Sequence, residues 1–340
     1  MLKTFTSRTA TGLFRGACGA LNGEENMRGR ATMWEAPGPV VFELTDPRQS
    51  MVQVRERQLN PWVTMAEFPW LIAGRNDLAW LQRYLPRAGE FSDDGATWRA
   101  GYGPRLRAWH APGRPHDRAD QLAYVLEELR PPRTSRRAVI SLWDPRTDHQ
   151  LGSKDYPCCN WLSFHTRADG TVLDLTVSVR SNDLWWGASG VNWFNFSNLL
   201  RAVAEWSGLQ VGSYYHMATN LHVYERHFEA CRAIANSTAS KAPEPADEHD
   251  SFGSEECVFT GTAVRLMRAI DAGVADWAAP EQVPAGNISW LCDWAYFMTL
   301  HPLRDQPCEL ADKLAAFGDR RKDWRWAAMA WATRHEDATV

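Results

Sequence analysis

Two adjacent thiols follow a proline in Tyr156-Pro157-Cys158-Cys159-Asn160. Cysteine attacks carbon as its thiolate, so a reactive member of this pair needs a cation or a base beside it. Taken alone, the pair equally fits two small buried hydrophobes. The chain has seven cysteines, at 18, 158, 159, 231, 257, 292 and 308, an odd number with no Cys-x-x-Cys spacing. That pattern suits reduced thiols better than a disulfide framework or a zinc site, and no metal is expected. Glu67 stands in the otherwise apolar run Met65-Ala66-Glu67-Phe68-Pro69-Trp70, where burial would raise its pKa. His222 and Tyr224, one residue apart, fall on one face of an extended segment. The neighbours Arg136 and Arg137, by themselves, read as a solvated surface pair.

These groups need elements to hold them. Residues 171–179 alternate, with Leu173, Leu175, Val177 and Val179 apolar and Asp174, Thr176 and Ser178 polar, the period of a half-buried strand. Segments 39–44 and 138–143 are also strand-like, whereas 197–207 places Leu199, Leu200, Val203 and Trp206 at helical spacing. No regular βαβ alternation with a glycine-rich first turn occurs, so the fold class is α+β, a mixed sheet with flanking helices. Residues 236–256 are rich in Ser, Pro, Asp and Glu and read as a polar linker. The expected organisation is a catalytic core over 1–235, the linker, and a helical extension over 257–340, where Val264, Met267, Ile270 and Val274 recur at helical spacing before two tryptophan-rich segments.

A net charge of −4 over 340 residues gives no global attraction for nucleic acid or anionic membrane, so phosphate recognition has to come from placed arginines. With no signal-peptide pattern and no membrane-span run, the chain reads as cytoplasmic.

The order and spacing of several short motifs carry more. They are Ser135-Arg136-Arg137, Pro157-Cys158, Arg180-Ser181-Asn182-Asp183 with Gly187, Asn192-Trp193-Phe194-Asn195-Phe196 and His222-Val223-Tyr224. Upstream lie Phe91-Ser92-Asp93-Asp94-Gly95 and Gly101-Tyr102-Gly103. Together, over about 30–228, these resemble the thymidylate synthase superfamily, including its nucleotide hydroxymethylases. The resemblance implies a thymidylate synthase-like fold in which Cys158 is the nucleophile that adds to C6 of a pyrimidine, with Glu67, Arg180 and Tyr102 beside it. It assigns Arg30, Arg136, Arg137, Ser181, Asn182, Asn192, His222 and Tyr224 to the nucleoside monophosphate, and Asp183 and Gly187 to 5,10-methylenetetrahydrofolate. Arg136 and Arg137 would reach the phosphate of the partner chain in a homodimer, and Arg180 would favour the thiolate. Cys159 stands where synthases usually carry histidine.

Both branches of the superfamily pass through an exocyclic methylene at C5. A synthase reduces it with folate hydride; a hydroxymethylase adds water. The tryptophan-rich shield of synthases is replaced here by Arg87-Ala88-Gly89-Glu90-Phe91, which favours water, with Trp98 and Trp185 as candidate substitutes for the shield. Asn192 literally matches a uracil reader, but an amide turned over reads cytosine. The loss of the histidine and the look of the Arg-Ser-Asn-Asp and Phe-Asn-Phe runs tip the expectation to a cytosine nucleotide, CMP or dCMP. An arginine-rich, alanine-rich composition suits a GC-rich source and a product used in nucleoside antibiotic synthesis. Thymidylate synthase acting on dUMP is the alternative, and a non-catalytic regulatory or RNA-binding paralogue the remaining one.

Overall fold

The computed structural model describes residues 2–21, 25–28, 31–110, 117–167, 169–237, 251–273 and 289–334. Its centre is a six-stranded mixed sheet in the order Lys3–Ser7, Val40–Leu44, Gln210–Ala218, Val172–Val179, Cys159–Thr166, Val139–Ser141. The first two strands are parallel, as are Gln210–Ala218 and Val172–Val179; the other neighbours are antiparallel. The alternation read from sequence is realised in Val172–Val179, where Leu173, Leu175, Val177 and Val179 are fully buried. The expected strand over 138–143 contracts to Val139–Ser141. It stops there because the main-chain N–H groups of Leu142 and Trp143 both turn to the carbonyl of Asn160.

The helices Ala10–Leu21 and Trp193–Trp206 cover the inner face of this sheet. The second begins earlier than its apolar spacing predicts. It continues directly from a π-helical segment, Leu184–Asn192, whose wider turn accommodates an extra residue and brings Asn192 into the helical run. A smaller sheet pairs Asn182–Asp183 with Leu221–Tyr224, then Ala31–Glu35, then Glu25–Arg28.

The helix Pro61–Ile72 is buried all round: eleven of its twelve residues are buried, and the exception is Glu67. Asn60 caps it, its side-chain oxygen accepting from the N–H groups of Trp62 and Val63, and Pro61 begins it, where a missing N–H costs nothing. Against it pack the helices Glu256–Asp271, Ser289–Thr299 and Lys322–Ala332 of the C-terminal part. The contact is aromatic: Phe68 meets Phe252 and Trp290 edge-on at 6.0 and 5.3 Å between ring centres. Val274, in the helical spacing noted above, and residues 238–250 of the expected linker lie outside the described residues.

Candidate active site

Cys158 immediately precedes the strand Cys159–Thr166, and the pairing of that strand with Val172–Val179 shifts register between Cys159 and Trp161. A bulge here turns successive side chains out of strict alternation. Cys158 remains half-buried while Cys159 is fully buried in the core. The loop that delivers the thiol is anchored by Arg99, whose guanidinium donates to the Thr147 carbonyl at 3.1 Å and to the Asp155 carbonyl, and lies 5.2 Å from the Tyr156 ring centre. Asp93 accepts from the Lys154 N–H and the Ser153 hydroxyl, and the Ala100 N–H donates to Asp155.

Arg180 donates through Nε to the Pro157 carbonyl at 2.9 Å, and its Nη2 stands 3.9 Å from Cys158 Sγ. Burial raises the Cys158 thiol above its ordinary value, with Arg180 pulling the other way and Asp155 adding to the rise. The expected thiolate-favouring effect of Arg180 is present, but burial outweighs it. The Cys159 N–H donates to Tyr102 Oη at 3.0 Å, so the tyrosine fixes the main chain of the pair. Tyr102 itself is possible at that place because Gly103 follows it: a Cβ on Gly103 would lie 2.2 Å from the Arg75 carbonyl oxygen.

Glu67 faces this group from the buried helix. Burial pushes its carboxyl from 4.5 up to about 7, and a hydrogen bond from Asn195 opposes the rise. Asn195 Nδ2 donates to Glu67 Oε2 at 3.0 Å, and Asn195 Oδ1 is buried without a partner among the described residues. Asn195 lies one turn past Asn192 in sequence. Its motif, Phe194-Asn195-Phe196, gives no sign in sequence of which side chain the amide meets.

The carboxyl is held in its acid form more readily in the fold than in the unfolded chain. Its stabilising contribution is therefore complete below about pH 4.5 and is lost as pH rises through about 7. Glu67→Gln keeps an acceptor for Asn195 and removes the buried charge. The variant is expected to be more stable than wild type by up to about 3 kcal/mol near pH 8 and by almost nothing near pH 4. Urea melts at the two pH values check this; an equal gain at both would assign the effect to packing.

The small sheet sets Asp183 beside His222, its register partner, and His222 beside Tyr224, with ring centres 5.1 Å apart. Asp183 accepts from the Trp185 N–H at 2.9 Å, burial raises its carboxyl, and Arg226 stands 3.9 Å away. His222 Nδ1 lies 2.9 Å from Asn220 Oδ1, and the Ser181 hydroxyl donates to the same oxygen at 3.5 Å. Asn182 Oδ1 lies 2.8 Å from His216 Nε2, and His216 Nδ1 lies 2.8 Å from Tyr214 Oη. Burial lowers His216 to about 3, so the ring is neutral; with a carbonyl oxygen at Nε2, the proton sits on Nε2 and the tyrosine hydroxyl donates to Nδ1. His216 and Tyr214 were not foreseen. Their shared parity in the strand Gln210–Ala218, with Ala218 also buried, was the available sign.

Gly187 is where this network meets Asn192. A Cβ there would fall 2.3 Å from Asn182 Nδ2, which would have to move, and at an ordinary contact distance of 3.8 Å from Asn192 Nδ2. Asn192 is 6% exposed, and its amide has no hydrogen-bond partner among the described residues. The structure thus links Cys158, Arg180, Tyr102, Glu67, Asp183, Ser181, Asn182, Gly187, Asn192, His222 and Tyr224 in one network of neighbours, Glu67 lying near Cys159 and Tyr224 near Cys158. Arg136 and Arg137 are not in it. Phe164 N–H donates to the Ala138 carbonyl and Thr166 to the Arg133 carbonyl, which places the pair beside the far end of the strand that Cys158 precedes, about 20 Å away at the rise of a strand. Both are exposed, and Arg137 pairs with Glu128 at 3.3 Å. Arg30 lies outside the described residues. Trp98 donates to the Ala88 carbonyl and packs edge-on to Trp70, and Trp185 is stacked on His227 at 4.6 Å and donates to the Arg57 carbonyl.

A thiol and an arginine paired at the start of a sheet strand, with a carboxyl on a buried helix near the adjoining cysteine, make up the centre of the site. The sequence pattern of the thymidylate synthase family matches residues 24–249, and the chain belongs to that family. It is similar to the deoxyuridylate hydroxymethyltransferase of Bacillus phage SP01, 40% identical over 55% of this chain and 49% of the relative. It is 36% identical to the deoxyuridylate hydroxymethyltransferase of Pseudomonas phage M6, over 62% of this chain and 59% of the relative. A thymidylate synthase of Symbiobacterium thermophilum is 34% identical over 49% of this chain and 60% of that one. The chain therefore spans about half to three fifths of the length of these relatives. Among the described residues no helix is long and apolar enough to cross a membrane, and no three His, Cys, Asp or Glu side chains are grouped to hold a metal.

Proposed function

We propose that this protein 5-hydroxymethylates a pyrimidine nucleoside monophosphate with 5,10-methylenetetrahydrofolate as one-carbon donor. The observation that carries the reading is Cys158 beside Arg180, with the carboxyl of Glu67 near the adjoining Cys159 and able to be protonated near neutral pH. In this reading Cys158 Sγ adds to C6 and the electron pair moves toward C5 and O4, where an acidic Glu67 supports it. C5 then bonds to the donor methylene carbon. Loss of the C5 proton and departure of the tetrahydrofolate amine leave an exocyclic methylene, still linked to Cys158. Water adds its oxygen to that carbon, its proton passes to base, and the thiolate leaves C6 to restore the ring.

Water addition is supported by Trp98 and Trp185 being committed to other partners, and by the hydroxymethyltransferase relatives. Asp183, Gly187 and the exposed Trp186 supply a carboxylate, a close backbone approach and an aromatic surface that suit a pterin and its benzoyl ring. For the base, the free amide of Asn192 can meet N3–H and O4 of uracil together, and the phage relatives are named for deoxyuridylate. On these two grounds dUMP is the assigned nucleotide. CMP or dCMP is the second reading, favoured by Cys159 in place of histidine, and use of the product in nucleoside antibiotic synthesis belongs to that reading. The phosphate is assigned to Arg30 and Arg180 of one chain and Arg136 and Arg137 of a second copy. Val139, Trp161 and Met217 stand about 40% exposed on the outer, uncovered face of the sheet, a surface that a second copy would bury.

The test offers dUMP, CMP and dCMP separately with the folate donor. A 5-hydroxymethyl product from dUMP with no absorbance rise from dihydrofolate is expected. Product from cytosine nucleotides alone would establish the second reading, and a methyl product with equimolar dihydrofolate would make the protein a synthase. No exchange of tritium from C5 with any base would exclude the thiol adduct and leave a non-catalytic paralogue.

A further inference from the structure

We propose that Trp294, in the C-terminal helix Ser289–Thr299 beyond the family-matched residues, is a positioning residue for Glu67, acting through the main chain of the helix Pro61–Ile72. The inference rests on the role given to Glu67 above. Pro69 sits inside that helix and has no N–H, so the carbonyl four residues earlier, on Met65, loses its helical donor. Met65 is fully buried, and a buried carbonyl left unpaired costs about 1–3 kcal/mol. Trp294 Nε1 fills the gap, donating to the Met65 carbonyl at 3.0 Å. The next carbonyl, Ala66, accepts from Trp80 Nε1 at 3.0 Å. Two indoles therefore hold the two peptide units that immediately precede Glu67. A further bond, from Trp62 Nε1 to the Phe297 carbonyl at 3.3 Å, ties the start of the same helix to the same C-terminal helix.

Trp294 is fully buried and stacks on Trp290 with ring centres 6.5 Å apart, so packing alone is the competing explanation. Two substitutions separate the two. Trp294→Phe keeps an aromatic ring and removes the N–H. Pro69→Ala returns a helical N–H to the Met65 carbonyl without restoring the indole. The full chain is read by infrared titration of the Glu67 carboxyl, identified by its loss in Glu67→Gln, and by kcat and KM for the nucleotide that supports turnover.

In Trp294→Phe the Glu67 midpoint is expected to fall from about 7 toward the ordinary 4.5 as the loosened turn admits water. The kcat should drop about tenfold and KM should change less than about twofold, as for loss of one buried hydrogen bond felt at the reacting centre. Adding Pro69→Ala should return both midpoint and kcat to within about threefold of wild type. An unchanged midpoint in Trp294→Phe, or a loss that Pro69→Ala does not restore, overturns the proposal in favour of packing. If Trp294→Phe does not fold, a folded double variant with the wild-type midpoint is itself the rescue. The infrared arm needs no turnover, so an inactive wild type with a Trp294-dependent midpoint counts against the proposed function and not against the main-chain link.

Discussion

Cys158→Ser is expected to lower turnover by about 10⁴-fold or more while nucleotide binding stays measurable by calorimetry. An alcohol oxygen at its ordinary pKa is a far poorer nucleophile toward C6 than sulfur, and Arg180, 3.9 Å from Sγ, remains to hold an anion. Cys159→Ser should behave differently. That side chain is fully buried, and its polar neighbour is the Tyr102 hydroxyl, which also accepts the residue's main-chain N–H, so a serine hydroxyl is desolvated for a shared hydrogen bond. The variant should lose about 1–2 kcal/mol of stability and keep turnover within about tenfold of wild type. Exchanged phenotypes would move the nucleophile one residue along the chain.

Mixed dimers give the other large effect. If Arg136 serves the partner's phosphate, Cys158→Ser and Arg136→Ala chains are each nearly inactive alone. Mixed and allowed to exchange, half of the dimers should be heterodimers, each with one site that has both the thiol and the arginine. Recovery to about a quarter of wild-type activity is expected. The structure gives the reason to look across chains: Arg136 is exposed, has no partner among the described residues, and lies about 20 Å along the strand from its own Cys158. Heterodimers confirmed by mass but inactive would remove shared phosphate binding and leave Arg136 a surface residue.

Much of the scaffold was legible in the chain because burial leaves a periodic trace. The alternation in Val172–Val179 and the helical spacing of Leu199, Leu200 and Val203 follow from one face meeting the core, and both elements formed. The cluster of site residues was legible for another reason: Pro157-Cys158, Arg180-Ser181-Asn182-Asp183 and His222-x-Tyr224 are short local motifs in a recognisable order. Local motifs do not report which distant groups meet. That Asn195 bonds Glu67 across 128 positions, and that a neutral His216 orients Asn182, are long-range pairings that no spacing encodes.

Charge balance was likewise beyond the sequence. Arg180 next to a thiol argued for a lowered pKa, yet burial of Cys158 decides the direction, and burial belongs to the folded chain. Pro69 makes the division plainest. The sequence alone determined that position 69 has no main-chain N–H to donate, because that is covalent chemistry, and the fold placed it inside a helix where the Met65 carbonyl loses its donor. Only the tertiary structure decided that the indole of Trp294, 229 positions away, supplies the replacement. A hydrogen bond depends on where two groups lie in space, and the packing of the C-terminal helices sets that place.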